Sequence, residues 1–374
     1  MSISKEIRKI LQREGVNFAA TYPCAKFQSL YNQIHNSFYT IGLTKEEEGV
    51  GLCAGASLVG SKPVMLIQST GLGNMVNALC SLTLTYKLPL VILASWRGRF
   101  EEKISAQLRL GQSIPPLLKA INIKSYIIEK RKDLPLIPTA IQEAYSSDNL
   151  QVVLLSPLLW DEYSSQMDVF PTAGPRTITK VRDFPSISAS LTRYEIIKAS
   201  LPFLKDKVVI CNIGFPSREL YQLGHQSTNF YMLGSLGLAS SIGLGIAACS
   251  SRNVVVIDGD GSLLANLGSL ATIAQVSPQN LTILAIDNGV HGSTGNQPTA
   301  TSSCADLALT ASGLGFQRVY RAASLDQLGG VYENLSLGPN FVHIPALPGN
   351  TDVPIIPLSP IAIKNQFMKA VISP

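Results

Sequence analysis

Short, almost continuously apolar runs alternate along the chain with longer segments that have helical periodicity. Strands separated by helices and apolar on both faces are typical of a parallel sheet covered on both sides, so the pattern predicts an α/β fold. The predicted strands are 17–21, 64–68, 88–94, 151–155, 208–213, 254–257, 281–286 and 340–344. The predicted helices are 4–14, 46–59, 75–84, 238–248 and 263–274, with a further apolar helix beginning after residue 190.

The periodicity fails between residues 161 and 185, where Phe170-Pro171-Thr172-Ala173-Gly174-Pro175 is rich in turn-forming residues. Such a stretch is typical of a linker. We therefore expect one domain over 1–165, a linker over 166–185 and a second domain over 186–374. The length of 374 residues suits two domains of ordinary size.

Composition narrows the class of protein. Apolar residues make up 46% of the chain and charged residues 15%, which excludes a disordered or fibrous protein. The net charge of +5 comes from scattered residues and not from a basic stripe, so a nucleic-acid partner is not expected. No apolar run is long enough to span a membrane and the N-terminus lacks a signal peptide, so we expect a cytoplasmic protein. The six cysteines stand singly, and four histidines are too few for a His-rich metal site.

The clearest chemical signal follows the predicted strand 254–257, where the sequence reads Asp258-Gly259-Asp260-Gly261-Ser262. Glycines around a carboxylate let the backbone approach a large anion, and the N-terminus of the next helix favours negative charge. A carboxylate would repel a phosphate there unless a cation lay between them. The sequence therefore indicates a divalent cation held by oxygen ligands.

The next strand, 281–286, ends in Asp287-Asn288-Gly289. Twenty-six residues, 262–287, separate the two clusters, which is enough for one helix and one parallel strand. Both clusters then lie at the carboxyl edge of the sheet, where open α/β folds bind ligands. The alternative is two ordinary glycine turns.

A Gly-Asp-Gly motif followed at this interval by Asn resembles the thiamine-diphosphate-dependent enzymes. The resemblance implies thiamine diphosphate as cofactor and Mg²⁺ bound by Asp260, Asn288 and the backbone carbonyl of Val290. It places the diphosphate beside three further residues of the motif, Gly259, Gly261 and Ser262. It also makes Gly234-Ser235-Leu236 the pyrimidine contact, with Leu236 as the wedge that bends the cofactor, although Leu236 could instead be a core residue.

The same family uses a buried glutamate beside the pyrimidine ring. Family members place it nine positions before a helix glycine, here Gly55, which selects Glu46 and leaves Glu47 as the alternative. Acidic residues in a first helical turn also suit the helix dipole. The loop Ser69-Thr70-Gly71 resembles the pyrimidine-side loop of the family, and it lacks the last glycine of a dinucleotide-binding motif.

In the first half of the chain, Tyr22-Pro23-Cys24 and Ala94-Ser95-Trp96-Arg97-Gly98 resemble the α subunit of the sulfopyruvate decarboxylases. In the second half, residues 233–245, 259–272 and 292–299 resemble the β subunit. These enzymes are close relatives of the phosphonopyruvate decarboxylases. The resemblance implies two fused domains with parallel sheets and no middle domain. It further implies a homodimer or homotetramer with active sites at the subunit interface. The expected reaction converts 3-sulfopyruvate to sulfoacetaldehyde and CO₂, a step of coenzyme M biosynthesis. The alternatives are phosphonopyruvate decarboxylation and the reaction of another thiamine-diphosphate-dependent 2-oxo acid decarboxylase or carboligase.

A sulfonated 2-oxo acid is a dianion and needs positively charged or N–H donors. Arg97, directly after a buried strand, is the first candidate, and Lys103 and Gln107 follow in the sequence. Each could instead be a solvated surface group. Leu108 and Gly292 stand where the phosphonopyruvate enzymes tend to carry His and Glu, which favours the sulfonate. His291 matches those enzymes, and could relay a proton or only line the pocket.

Overall fold

The structure is a computed structural model that describes residues 1–160 and 187–372. The chain divides into two compact units, Met1–Arg176 and Thr177–Pro374. The predicted linker 166–185 lies outside the described residues, so the predicted domain boundaries stay predictions.

The first unit contains a six-stranded parallel sheet in the order β2-β1-β3-β4-β6-β5. Its strands are β1 Phe18–Thr21, β2 Tyr39–Gly42, β3 Pro63–Gln68, β4 Leu90–Ser95, β5 Lys124–Ile128 and β6 Leu150–Leu155. Its helices are α1 Ile3–Arg13, α2 Gln28–His35, α3 Glu46–Leu58, α4 Gly71–Asn74, α5 Val76–Ala78, α6 Ser105–Ala120 and α7 Leu136–Ser146, with a π-helical turn at Leu79–Leu84.

The second unit contains a six-stranded parallel sheet in the order β13-β14-β10-β9-β7-β8 and a two-stranded antiparallel ribbon, β11-β12. The strands are β7 Val208–Cys211, β8 Asn229–Tyr231, β9 Val254–Gly259, β10 Leu281–Asp287, β11 Val290–His291, β12 Gln297–Pro298, β13 Arg318–Arg321 and β14 Asn340–Pro345. The helices are α8 Arg193–Leu204, α9 Phe215–Gly224, α10 Ala239–Cys249, α11 Asp260–Ala265, α12 Gly268–Val276, α13 Leu307–Gly313, α14 Leu325–Asn334 and α15 Pro360–Ile372.

The two sheets have the same strand order when each is numbered from its own first strand. In each unit the order reverses between the first and third strands, β1 and β3 in one and β7 and β9 in the other. Ligands of open α/β sheets bind at the carboxyl edge beside such a reversal. The topology therefore gives each unit one preferred site, although no sequence repeat is evident.

The central strands are buried along their length, which explains their continuous apolar runs. All six residues of β4 and of β6 are buried, as are five of the six in β9. The helix α10 packs very closely on its sheet at Gly243, where a Cβ would lie 2.3 Å from a methyl carbon of Val256. These observations confirm the predicted α/β class with two parallel sheets. None of the helices among the described residues is long and apolar enough to cross a bilayer.

Two predicted elements are wrong in detail. The predicted helix 263–274 is two helices, α11 and α12, because Asn266 leaves helical geometry and donates its buried amide to the carbonyl of Gly237 at 3.1 Å. The predicted helix 75–84 is divided into α5 and a π-helical turn.

Candidate active site

A cleft opens in the second unit at the carboxyl edge of its sheet. Its lining comes from the ends of β7, β9 and β10 and from the turn after β11. The predicted residues that line it are Leu236, Gly259, Asp260, Gly261, Ser262, Asn288, Val290 and His291. The fold therefore brings together both clusters that the sequence analysis placed at this edge.

Three polar groups converge at one point of the cleft wall. One polar atom of the Asn288 side-chain amide lies 3.2 Å from Oδ1 of Asp260 and 2.9 Å from the carbonyl oxygen of Val290. As nitrogen, that atom donates to both; as oxygen, it completes a set of three oxygens that needs a cation between them. Around Mg²⁺, with bonds of about 2.1 Å, neighbouring ligands lie about 3.0 Å apart, so the spacing fits the ion.

The surroundings of Asp260 disfavour its ionised form when no cation is bound. The residue is buried, and burial raises the pKa of its carboxyl group, with hydrogen bonds from Thr299 opposing the rise. A bound divalent cation would stabilise the ionised form in place of water. The described residues contain no group of three or more His, Cys, Asp and Glu side chains suited to a metal. The ligand set predicted here contains only one such side chain, Asp260, together with an Asn side chain and a main-chain carbonyl.

Two threonines that the sequence analysis missed hold the carboxylates of this site. Thr299 Oγ1 donates to Oδ2 of Asp260 at 2.5 Å, and Thr301 Oγ1 donates to Oδ1 of Asp287 at 2.7 Å. His343 pairs with Asp287 at 3.0 Å. Although burial opposes it, the hydrogen bonds from His343 and Thr301 lower the pKa of Asp287. Threonines 39 and 41 positions beyond Asp260 carry no local signal for this role.

The predicted pyrimidine contact, Gly234-Ser235-Leu236, forms a turn that a hydrogen bond from the next residue stabilises. Ser235 has φ +61° and Gly237 has φ +93°, and the amide of Gly237 donates to Ser262 Oγ at 3.0 Å. Ser262 thus holds this turn in addition to lining the cleft. Leu236 is 46% exposed and lines the cleft, so it is not a core residue. The turn presents an apolar side chain to the place where a ligand would lie.

His291 lies against the Gly-Asp-Gly motif. A Cβ at Gly261 would be 2.4 Å from Cε1 of His291, so a side chain at position 261 would displace this ring. The turn after His291 is tied down by Asn350, which donates to the carbonyl of Gly292 at 2.8 Å and accepts from Arg193 at 3.0 Å. Arg193 also lines the cleft, and its guanidinium is bound by Glu219 at 2.8 Å. The sequence analysis missed this support, because 157 residues separate Arg193 from Asn350.

In the first unit, the three glutamates at the start of α3 have different environments. Glu47 is partly exposed and forms an ion pair with Lys45 at 2.7 Å. Glu48 is fully buried and accepts from both the amide and the hydroxyl of Thr44, each at 2.8 Å. Glu46 is also buried, but its carboxylate faces the loop after β3 and not Lys45 or Thr44. The resemblance selected Glu46 by its interval to Gly55 and left Glu47 as the alternative, and these environments favour the same choice.

Glu46 lies under the loop that follows β3. Its Oε2 accepts from Nδ2 of Asn74 at 3.1 Å. Gly71 lies against the carboxylate without a side chain, because a Cβ there would be 2.5 Å from Oε1 of Glu46. The predicted loop residues Ser69 and Thr70 act differently: Ser69 Oγ accepts from the amide of Arg97, and Thr70 Oγ1 accepts from Gln68.

Arg97 is the centre of a second polar cluster in this unit. Its Nη1 donates to Oε1 of Gln68 at 3.2 Å, and Gln68 donates in turn to Oε1 of Gln107 at 3.1 Å. The rest of the guanidinium binds Glu102. Lys103 is exposed. Arg97 and Gln107, both predicted, therefore come together, and Gln68 and Glu102 were missed.

Comparison with known proteins identifies the family. A model of the C-terminal TPP-binding domain of thiamine pyrophosphate enzymes matches residues 213–343, which include most of the residues that line the cleft. The chain is 39% identical to sulfopyruvate decarboxylase of Methanosarcina acetivorans, covering 97% of this chain and 96% of that protein. It is 34% identical to phosphonopyruvate decarboxylase of Streptomyces viridochromogenes, covering 96% and 92%. The chain belongs to the sulfopyruvate and phosphonopyruvate decarboxylase family.

Separate proteins of this family match each half of the chain. The sulfopyruvate decarboxylase β subunit of Methanococcus maripaludis is 44% identical over 48% of this chain and 98% of its own length. The α subunit of the same organism is 37% identical over 43% of this chain and 98% of its own length. These matches confirm the predicted fusion of α-like and β-like halves.

The fold is also that of solved thiamine enzymes. The 4-hydroxybenzoylformate decarboxylase of Rhodococcus jostii RHA1 has a TM-score of 0.73, covering 94% of this chain and all of that one, at 13% sequence identity. At this identity the likeness concerns the fold. The roles assigned to individual site residues of this chain stay predictions.

Proposed function

We propose that this protein decarboxylates 3-sulfopyruvate to sulfoacetaldehyde and CO₂, with thiamine diphosphate and Mg²⁺, as a step of coenzyme M biosynthesis in the cytoplasm. The observation that carries the proposal is the 39% identity to a sulfopyruvate decarboxylase over nearly the full chain. The convergence of Asp260, Asn288 and Val290 at the cleft supports it. The six free thiols suit a reducing compartment.

The second unit, in this proposal, is the diphosphate-binding domain. Asp260, Asn288 and the carbonyl of Val290 would hold Mg²⁺, and the phosphates would meet the start of α11, where Gly259 and Gly261 lack side chains. Leu236 would support the cofactor from its apolar side. When bound, thiamine diphosphate supplies the nucleophilic carbon that attacks the 2-oxo group and accepts the electrons left as CO₂ departs.

The first unit is the pyrimidine-binding domain in this proposal, and Glu46 is the activating acid. The carboxylate is buried, and Asn74 and Gly71 fix its position. It is therefore held in one orientation, from which it can exchange a proton with a ring nitrogen of the cofactor. Glu47 is engaged by Lys45 at the surface, which argues against the same role. His291, above Gly261, is the candidate proton donor to the product.

We further propose a homodimer or homotetramer in which Glu46 of one chain serves the cofactor bound by another. Mixing the inactive variants Glu46→Gln and Asp260→Ala tests this directly. A mixed dimer would contain one site with both native residues, so activity should return after the two are refolded together. If the mixture stays inactive while refolded wild-type protein recovers, each site is built within one chain.

The substrate anion would bind the Arg97 cluster, with amide groups of Gln68 and Gln107 beside the guanidinium. Arg stays charged and bonds two oxygens at once, which suits a sulfonate. The 34% identity to a phosphonopyruvate decarboxylase favours phosphonopyruvate as the alternative. Measuring CO₂ release from sulfopyruvate, phosphonopyruvate and pyruvate separates the two. The proposal expects the highest kcat/KM with sulfopyruvate, and a higher value with phosphonopyruvate would replace it.

A further inference from the structure

The guanidinium of Arg97 is bound by a carboxylate of the same chain. Nε donates to Oε2 of Glu102 at 2.5 Å and Nη2 donates to Oε1 at 2.9 Å. Only 6% of the Arg97 side chain and 7% of the Glu102 side chain are exposed. Two parallel bonds to a pair of oxygens are the arrangement that Arg also makes with other oxyanions. Glu102 thus occupies the face of Arg97 that a substrate anion would use.

Glu102 reaches Arg97 through an unfavourable backbone. Gly98, Phe100 and Glu101 all have positive φ, of +81°, +53° and +61°. This conformation is unfavourable for residues that carry a side chain, and it persists only where surrounding contacts hold it. The ring of Phe100 packs edge-on against Trp96, with centroids 5.6 Å apart. The guanidinium of Arg99 lies 4.6 Å over the ring of Trp96, and the amide of Ile104 donates to Oε1 of Glu102 at 3.1 Å. The Arg97–Glu102 pair is thus one of several contacts that hold this loop.

We propose that Glu102 is a specificity-determining residue that competes with the substrate's second anionic group for Arg97. This inference rests on the proposed function, since it takes Arg97 as the subsite for that group. A 2-oxo acid with a sulfonate can replace the carboxylate of Glu102 on the guanidinium, and the released loop then loses its strained backbone. A 2-oxo acid with a neutral tail, such as pyruvate, offers nothing in exchange for the ion pair.

A purely structural ion pair predicts the opposite result. Removing one partner of a structural pair leaves the other charge unsatisfied and disorders the site, so ligand affinity falls. Removing an internal competitor frees Arg97, so affinity for an anion rises. The sign of the change in affinity therefore separates the two roles.

The test uses the cofactor-loaded full-length enzyme and sulfoacetate, a sulfonate that lacks the reactive 2-oxo group. Calorimetry should show that Glu102→Gln binds sulfoacetate roughly tenfold more tightly than wild type, because the binding-competent state no longer requires breaking the pair. The KM for sulfopyruvate should fall and the KM for pyruvate should stay unchanged. The exposed neighbour Glu101→Gln is the matched control and should leave all three values unchanged. Unchanged or weaker binding of sulfoacetate by Glu102→Gln overturns the inference.

Two further variants keep the test decisive. Arg97→Gln should remove the gain produced by Glu102→Gln, because the gain passes through this guanidinium. If Glu102→Gln fails to fold, Glu102→Asp, which is one methylene shorter, should tighten sulfoacetate binding in the same direction by a smaller factor. If sulfoacetate binding tightens while sulfopyruvate is not decarboxylated, the competitor role stands and the proposed substrate is wrong. If sulfopyruvate is decarboxylated and binding does not tighten, the reverse holds.

Discussion

The absence of a side chain at Gly71 makes room for the carboxylate of Glu46. A Cβ at position 71 would lie 2.5 Å from both Cγ and Oε1 of Glu46 and 2.7 Å from Cδ. A methyl group cannot be accommodated at these distances unless the glutamate moves. The position of the proposed activating acid therefore depends on a loop residue 25 positions away in the sequence.

Gly71→Ala should lower kcat by roughly 10²-fold, since a displacement of about 1 Å at a catalytic group is enough for such a loss. Cofactor affinity should change less than kcat, because the proposed contacts to the metal and the diphosphate all lie in the second unit. Gly73→Ala is the matched control, because its Cβ would meet only the flexible end of Leu110 at 3.0 Å. Steady-state kinetics and cofactor titration of both variants check this. Equal losses in the two variants would contradict it.

The three glutamates of α3 should respond differently to the same change. Glu46→Gln should lose about 10²–10⁴-fold in kcat by removing an acid–base group, while still binding the cofactor. Glu47→Gln should change unfolding free energy by less than about 1 kcal/mol, as expected of a surface ion pair. Glu48→Gln should lower the unfolding free energy by about 1.5–3 kcal/mol, because the buried hydrogen bonds from Thr44 would lose their ionised acceptor. Urea unfolding and turnover assays distinguish the three, and full turnover in Glu46→Gln would refute the assignment.

Removing the proposed cation ligand should abolish stabilisation by cofactor and metal together. Wild-type protein should gain about 2.7 kcal/mol when the cofactor is present at a hundred times its Kd. Asp260→Ala should gain none. Thr299→Val keeps the ligand but removes its 2.5 Å hydrogen bond, so an intermediate gain is expected. Thermal melts with cofactor, with Mg²⁺ and with both provide the measurement, and a full gain in Asp260→Ala would place the cation elsewhere.

Leu236 should matter for the ligand and not for the fold. Leu236→Ala should change unfolding free energy by at most about 0.5 kcal/mol, since the side chain is 46% exposed. Cofactor affinity should fall about tenfold or more, because the cofactor would cover the Leu236 side chain and this apolar contact is lost in the variant. The fully buried Leu244 is the contrast: Leu244→Ala should cost about 2–5 kcal/mol. Reduced stability with unchanged affinity in Leu236→Ala would show that the residue is structural after all.

The Arg97–Glu102 pair has a predictable pH dependence. Hydrogen bonds from Arg97 lower the pKa of Glu102 from its ordinary 4.5 to about 2. A carboxyl group with a lowered pKa stabilises the fold fully above its ordinary pKa and loses that effect as the pH falls towards the lowered value. The difference in unfolding free energy between wild type and Glu102→Gln should therefore be constant from pH 7 to 5 and shrink below about pH 4. Urea unfolding across this range measures it, and a difference that grows on acidification would rule out the ion pair.

The hydrophobic pattern missed the four edge strands of the two large sheets, β2, β5, β8 and β13, and also the two-residue strands of the ribbon, β11 and β12. Edge strands are covered by a neighbour on one side only. In β2 and β5 exposed and buried residues are mixed, and β8 has three residues. A continuous apolar run is required only of a strand buried on both faces. The rule therefore found the central strands and had no basis for finding the edges.

The sequence by itself determined the α/β class, the central strands and the chemistry placed after them: Asp260 and Asn288 after neighbouring strands, and Arg97 after another. It could do so because period and composition are local properties, and parallel strands bring their carboxyl ends to one edge. Only the tertiary structure decided which glutamate faces Gly71, that Leu236 is exposed, and that Arg97 is bound by Glu102. Those outcomes depend on the direction of side chains and on contacts between elements far apart in the sequence, which local patterns do not encode.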